Sequence, residues 1–219
     1  SDMCSSDLRT PLGVVVAITP WNFPVILLMN KLGPALVTGN TMVAKPAPTT
    51  PLTSLLFGEI CKNVLPAGVV NIVCDQNDLG AVLTTHPDVA KVAFTGSTAT
   101  GKKVMAAAAG GVKRVTLELG GNDAAIVLED ADVADVAKKI FFAATVNSGQ
   151  VCMAIKRVYA HERVYEALCA ALAAEAAKAQ LGSGLEPETV LGPIQNRRQY
   201  EKLQGFIADI RKGPGRILR

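Results

Sequence analysis

The stretch GVVVAIT, residues 13–19, indicates how the first half of this chain folds. It is an uninterrupted apolar run of strand length that stops at Pro20, which is typical of a strand buried on both faces of a sheet. Similar runs recur along the chain at residues 41–46, 69–74, 91–97 and 114–121. Because helix-like stretches separate these runs, the pattern predicts an α/β fold: an open parallel sheet flanked by helices.

The predicted helices follow from the spacing of apolar residues between the strands. In the first half they cover residues 25–39, 51–65, 79–86 and 98–110. After Gly120 and Gly121 the pattern restarts, with predicted strands at 124–130 and 155–161 and predicted helices at 132–149 and 163–180. A further helix is expected in the tail, followed by a turn into a strand at GPGRILR, residues 213–219. We therefore predict two domains, 1–119 and 120–219.

Composition excludes several classes of function. The 219 residues carry a net charge of only +3, without a basic stripe, so no nucleic-acid partner is expected. No apolar run approaches the roughly 18 residues of a membrane-spanning helix, and SDMCSSDLRT does not resemble a signal peptide. The five cysteines are widely spaced and form no CxxC pair, so neither a metal site nor a disulfide framework is expected. Reduced thiols in a cytoplasmic protein are the simplest expectation.

Cys152 lies in NSGQVCMAIKRVY, residues 147–159, between a polar, flexible run and a predicted strand. A reactive thiolate needs a cation, a helix N-terminus or backbone N–H groups to stabilise it. Taken alone, the local sequence favours a buried, inert thiol, which is the usual fate of a free cysteine. The same interpretation applies to the other four cysteines: Cys4, Cys61, Cys74 and Cys169.

Three further groups could take part in chemistry. Glu118 ends an apolar strand beside two glycines, where burial would raise its pKa and make it a usable base; the alternative is a carboxylate facing water. Asn22, clamped in PWNFP, could donate its amide to an oxyanion, although Asn beside Pro is also common in turns. In FTGSTATGKK, Gly96 and Ser97 precede a helix whose N-terminus could receive a diphosphate or simply be capped.

Taken together, the motifs resemble those of the aldehyde dehydrogenase superfamily. ITPWNFP, KPAPTTP, FTGSTATGK, LELGG and SGQVC occur in the family's order, and the similarity runs from Pro11 to about residue 210. The resemblance implies a Rossmann-like cofactor domain followed by part of a second α/β catalytic domain. Family chains are about twice this length, so the resemblance also implies that this is the central part of a longer protein.

The resemblance implies a mechanism and a set of site residues. Cys152 would attack the aldehyde carbonyl, the Asn22 amide and the Cys152 N–H would hold the oxyanion, and Glu118 would activate water against the resulting thioester. The cofactor would be NAD or NADP, with NAD slightly favoured, and the parent protein would be a homodimer or homotetramer. The residues implied around the dinucleotide are Ile18, Thr19, Trp21, Lys45, Gly80, Phe94, Gly96, Ser97 and Leu119.

Two positions depart from the family pattern, and two alternatives stay open. Many NAD-preferring members carry Glu where this chain has Pro48, so repulsion of a 2′-phosphate is reduced and NADP is allowed. The loop CDQNDLG lacks the glycine-rich form common after the third strand, and only Gly80 matches. The alternatives are an acyl-CoA-forming enzyme and a non-catalytic binding member of the fold. The isolated chain is expected to have little or no activity.

Overall fold

The chain forms two compact units that divide between Leu119 and Gly120. The computed structural model describes residues 10–218. We call residues 10–119 unit 1 and residues 120–218 unit 2.

Unit 1 is built on a five-stranded sheet in which every neighbouring pair is parallel. The strands are β1 (Val14–Ile18), β2 (Thr41–Lys45), β3 (Val70–Ile72), β4 (Val89–Thr95) and β5 (Arg114–Glu118), and their order across the sheet is β3-β2-β1-β4-β5. At the carboxyl end of β1, Ile18 lies opposite Lys45 of β2 and Phe94 of β4. The predicted fold class, a parallel sheet flanked by helices, is confirmed.

Four helices pack on the two faces of this sheet: α1 (Pro24–Val37), α2 (Leu52–Val64), α3 (Leu79–Thr85) and α4 (Thr98–Ala109). Alternate residues of β1 serve opposite faces, as the period of a strand requires. Val15 belongs to a cluster that contains Leu28 of α1, and Val16 belongs to a second cluster that contains Val104 of α4. This two-sided burial explains why the strands are continuously apolar in sequence.

Unit 2 contains a parallel pair of strands, β6 (Asp123–Val127) and β7 (Ile155–Ala160). Its helices are α5 (Val133–Thr145), α6 (Glu162–Lys178) and α7 (Arg197–Lys212). The core joins Val127 of β6 to Ile140 of α5 and Leu168 of α6.

Two sequence-based predictions for unit 2 are wrong. The helix predicted to reach Gly149 ends at Thr145, because Asn147 and Ser148 adopt positive φ values of 52° and 55° within a short 3₁₀ turn. The strand predicted near the C-terminus does not form within residues 213–218, the described part of that segment. Arg216 instead pairs with Glu166 of α6.

Across residues 10–218, no helix combines the length and the apolar character that crossing a bilayer requires.

Candidate functional site

The carboxyl edge of the unit 1 sheet collects most of the residues predicted to bind a dinucleotide. Ile18 ends β1, Lys45 ends β2, and both side chains are buried. The Thr19 N–H donates to the Lys45 carbonyl at 3.0 Å, and the Gly96 N–H donates to the Glu118 carbonyl at 3.0 Å. In doubly wound sheets the ligand binds beyond this edge, where the strand order reverses, which here is between β1 and β4.

The turn from β4 into α4 is held close to the sheet by two glycines. A Cβ on Gly96 would lie 2.6 Å from the ring of Phe94, and a Cβ on Gly101 would lie 2.5 Å from Leu119 Cδ2. Ser97 caps α4, and its Oγ accepts the Thr100 N–H at 3.2 Å. The N-terminus of α4 is thereby fixed at the sheet edge, where helix N–H groups suit a phosphate.

Thr19 provides an independent test of whether a dinucleotide fits this edge. Thr19 is only 4% exposed, and its Oγ1 has no hydrogen-bond partner among residues 10–218. A buried hydroxyl without a partner is costly, and a ligand hydroxyl or amide would satisfy it. The residues present therefore fit a polar cofactor at the end of β1.

Lys45 makes a contact that sequence reasoning missed. Its Nζ lies 2.7 Å from Asp75 Oδ1, and the two side chains are 6% and 0% exposed. Burial opposes ionisation of Asp75, but hydrogen bonds from Lys45 and from the Leu79 N–H outweigh it and hold the pKa of Asp75 below its ordinary value. The only sequence signal was the unusual loop CDQNDLG, in which Asp75 lies.

The two remaining predicted cofactor residues of unit 1 are Trp21 and Gly80. Trp21 lies half-buried in the bend before α1, next to the predicted oxyanion donor Asn22. Gly80 lies in the first turn of α3, and no described atom comes within 4 Å of the position that a Cβ would take there. Packing in this structure therefore does not require a glycine at position 80.

Of the two alternatives for Glu118, the structure shows the carboxylate that faces water, exposed at the end of β5. The alternation of β5 turns Val115 and Leu117 inward and Glu118 outward. A nearby group was missed: Lys31 of α1 donates to Thr95 Oγ1 at 2.6 Å. Burial lowers the pKa of Lys31, and the charge of Glu118 partly offsets this effect. A lone lysine in the apolar helix VILLMNKLGPALV was the available signal.

In unit 2, Cys152 is exposed, so the burial of this thiol that the local sequence favoured is wrong. Its backbone is held on two sides. A Cβ on Gly121 would lie 2.6 Å from the Cys152 carbonyl oxygen. Lys156 Nζ donates to the carbonyls of Val151, Cys152 and Ala154 at 3.1–3.2 Å. The second glycine of LELGG thus allows close approach to the loop that carries the thiol.

The turn before Cys152 is also anchored. Asn147, Ser148 and Gly149 all have positive φ, a conformation that costs energy in non-glycine residues. Ser148 Oγ donates to the Gly192 carbonyl at 2.9 Å, and Gln150 Oε1 accepts the Gln195 N–H at 2.9 Å. An open cavity of about 930 Å³ lies beside this turn, lined in part by residues 191–197. Two hydrogen bonds therefore fix the segment that leads to the thiol.

The other cysteines that the structure describes, Cys61, Cys74 and Cys169, have no comparable setting. Cys61 is buried, and burial raises the pKa of its thiol, which disfavours the thiolate. Cys74 is exposed after β3, Cys169 is half-buried in α6, and Cys4 lies outside the described residues. Within residues 10–218, no group of three or more His, Cys, Asp or Glu side chains is placed to hold a metal ion.

Comparison with known proteins gives one family. Residues 1–218 match the aldehyde dehydrogenase family. A probable aldehyde dehydrogenase from a Pseudomonas species is 42% identical over 214 residues, which are 98% of this chain and 44% of that protein. The chain therefore spans less than half the length of this relative.

Solved structures agree with the sequence match. An aldehyde dehydrogenase C mutant from Pseudomonas syringae, complexed with NAD⁺ and octanal, superposes with a TM-score of 0.90 at 38% identity. The alignment covers 95% of this chain and 45% of that one. An E. coli NADP-dependent enzyme gives a TM-score of 0.90 at 39% identity, with 93% of this chain and 43% of that one covered. This chain belongs to the aldehyde dehydrogenase family.

Proposed function

We propose that the protein carrying this chain oxidises an aldehyde to a carboxylic acid, with Cys152 as the nucleophile and NAD or NADP as hydride acceptor. The observation that carries the proposal is the exposed Cys152 thiol on a loop anchored by Gly121, Lys156 and Ser148. Family membership and relatives named as aldehyde dehydrogenases support the reaction class.

The reaction consists of acylation of Cys152 followed by hydrolysis of the thioester. The Cys152 thiolate adds to the aldehyde carbon, forming a C–S bond and an alkoxide that the Asn22 amide and the Cys152 N–H stabilise. The carbon then loses hydride and becomes a thioester on Cys152. Water adds to the thioester as Glu118 accepts its proton, the C–S bond breaks, and the carboxylic acid leaves. The exposure of Glu118 is compatible with access to water.

The dinucleotide, when bound, supplies the hydride acceptor. The residues that would hold it lie at the carboxyl edge of the unit 1 sheet. Thr19 offers its unpartnered hydroxyl, Ser97 and the start of α4 offer a phosphate site, and Lys45 offers an ammonium group at the end of β2.

The experiment is a panel of aliphatic and aromatic aldehydes, assayed with NAD and NADP on a full-length protein that carries this chain. We expect reduced dinucleotide to form in wild type and in Cys74→Ala, and to fall by about 10⁴-fold or more in Cys152→Ala, since the covalent route is lost. Cys74 is the matched control because its thiol is also exposed. Wild-type rates in Cys152→Ala would refute the nucleophile, and turnover that requires CoA would replace hydrolysis with acyl transfer to CoA.

Further proposals concern the activity of the isolated 219-residue chain and the location and oligomeric state of the full-length protein. Because it spans 44% of its Pseudomonas relative, we propose that it has little activity alone. Strong NAD(P)H production by the purified chain would refute this. We further propose a cytoplasmic protein that assembles as a dimer or tetramer, which sedimentation of the full-length protein would test.

A further inference from the structure

We infer that Asp75 is a specificity-determining residue that makes the nucleotide site of unit 1 favour NAD over NADP by neutralising Lys45. This inference rests on the proposed function, since it assumes that a dinucleotide binds at the carboxyl edge of the unit 1 sheet.

The carboxylate of Asp75 is fixed through both of its oxygens. Oδ1 accepts from Lys45 Nζ at 2.7 Å, and Oδ2 accepts the Leu79 N–H at 3.1 Å. The Asp75 side chain has no exposed surface, and that of Lys45 is only 6% exposed. A buried ion pair with an additional hydrogen bond is preformed and does not exchange freely with water.

The position of the pair is what relates it to the cofactor. Lys45 is the last residue of β2, and Asp75 follows β3, the neighbouring strand. In sheets of this order, side chains beyond the second strand read the adenosine ribose: a carboxylate favours the free 2′-hydroxyl, and a cation accommodates a 2′-phosphate. In this chain both kinds of side chain are present, and they are bound to each other.

The pairing decides which ribose is favoured. A lone lysine would attract the negative charges of a 2′-phosphate, whereas Lys45 already has a carboxylate against its ammonium group. An incoming 2′-phosphate would meet an ion pair with no net charge, so it would not gain the attraction that a lone lysine offers. A 2′-hydroxyl carries no charge, so its binding does not depend on that attraction. Asp75 thus supplies, from the loop after β3, the negative charge that is absent at Pro48.

The test uses a full-length protein carrying this chain, as wild type, Asp75→Asn and Asp78→Asn. Asp78 is a matched control because it is exposed in the same loop and accepts only a 3.3 Å hydrogen bond from the Gln76 N–H among the described contacts. Dissociation constants for NAD and NADP are measured by calorimetry, and kcat/KM is measured with each cofactor. Thermal unfolding of each variant checks that the fold is retained.

We expect wild type to bind NAD at least about tenfold more tightly than NADP. In Asp75→Asn the ratio of the two constants should shift toward NADP by about tenfold or more, chiefly through tighter NADP binding, and in Asp78→Asn it should stay at the wild-type value. An unchanged ratio in Asp75→Asn with NAD binding intact would overturn the inference but not the proposed function. Equal affinities in wild type would also overturn it, and that measurement requires no variant. Binding of neither dinucleotide would overturn both.

Discussion

Gly121→Ala tests the contact that fixes the Cys152 loop in unit 2. The added Cβ would lie 2.6 Å from the Cys152 carbonyl oxygen and 2.6 Å from Asp123 Oδ1. The Asp123 carboxylate can rotate away, but the Cys152 carbonyl is backbone. The loop must therefore move for the alanine to fit.

The size of the movement follows from ordinary contact distances. An oxygen at 2.6 Å has to retreat by about 0.8 Å to reach a 3.4 Å contact. A displacement of about 1 Å at a reacting group can lower a rate by roughly 10²-fold, because the productive attack geometry is lost. We expect kcat/KM of a full-length protein carrying Gly121→Ala to fall by about 10- to 100-fold.

The neighbouring glycine provides the control. No described atom comes within 4 Å of a Cβ placed on Gly120, and its φ is not in the left-handed region. Gly120→Ala should therefore keep kcat/KM within about threefold of wild type, since neither a clash nor backbone strain arises. Circular dichroism and thermal unfolding would show that both variants fold. Equal activity in the two variants would refute the argument that Gly121 positions the Cys152 loop.

Three more predictions concern stability and local order. Leu28→Ala should lower the free energy of unfolding by about 2–5 kcal/mol in urea titrations, whereas Val37→Ala, at an 88% exposed site, should change it by less than about 0.5 kcal/mol. Lys156→Met removes three hydrogen bonds to carbonyls, so hydrogen exchange of amides 151–155 should become about three- to tenfold faster. The stabilisation from ionised Asp75 is complete above its usual pKa of 3.8 and is lost as pH falls through its lower folded-state pKa. As the pH is lowered below about 4, the free energy of unfolding should therefore fall less in Asp75→Asn than in wild type.

The strands of unit 1 could be predicted because burial on both faces leaves a plain mark in the sequence. The runs at 13–19 and 41–46 match β1 and β2 to within two residues at either end. The run at 69–74 yields only Val70–Ile72, since β3 is an edge strand and its length depends on pairing with β2. Pairing of this kind is a tertiary property that a local pattern does not contain.

The end of α5 could not be predicted from helical periodicity. Apolar and small residues continue to Val146, and the break comes from left-handed backbone at Asn147 and Ser148. Asn tolerates this conformation better than most residues, but Ser gives no such signal. Hydrogen bonds from Ser148 and Gln150 to residues 192 and 195 stabilise this end of the helix, and they join positions more than 40 residues apart.

Residues of the candidate site that lie in recognisable motifs could be predicted from the sequence. Contacts between residues far apart in the sequence could not. Cys152, Glu118 and Asn22 were selected by their motifs, and their catalytic roles remain predictions. The pairing of Lys45 with Asp75 spans 30 residues and joins two strand ends. The sequence contains Lys45 and Asp75 at separate positions, but only the parallel pairing of β2 and β3 brings the two side chains together.

The central claim is that Cys152 carries the acyl group. The most direct measurement is peptide mass spectrometry after a full-length Glu118→Gln protein is mixed with aldehyde and NAD and quenched with acid. With the hydrolytic base removed, we predict that the peptide containing Cys152 gains the mass of the acyl group, with one equivalent of NADH formed per site. Acylation of a different cysteine, or NADH formed without any acylated peptide, would contradict the account.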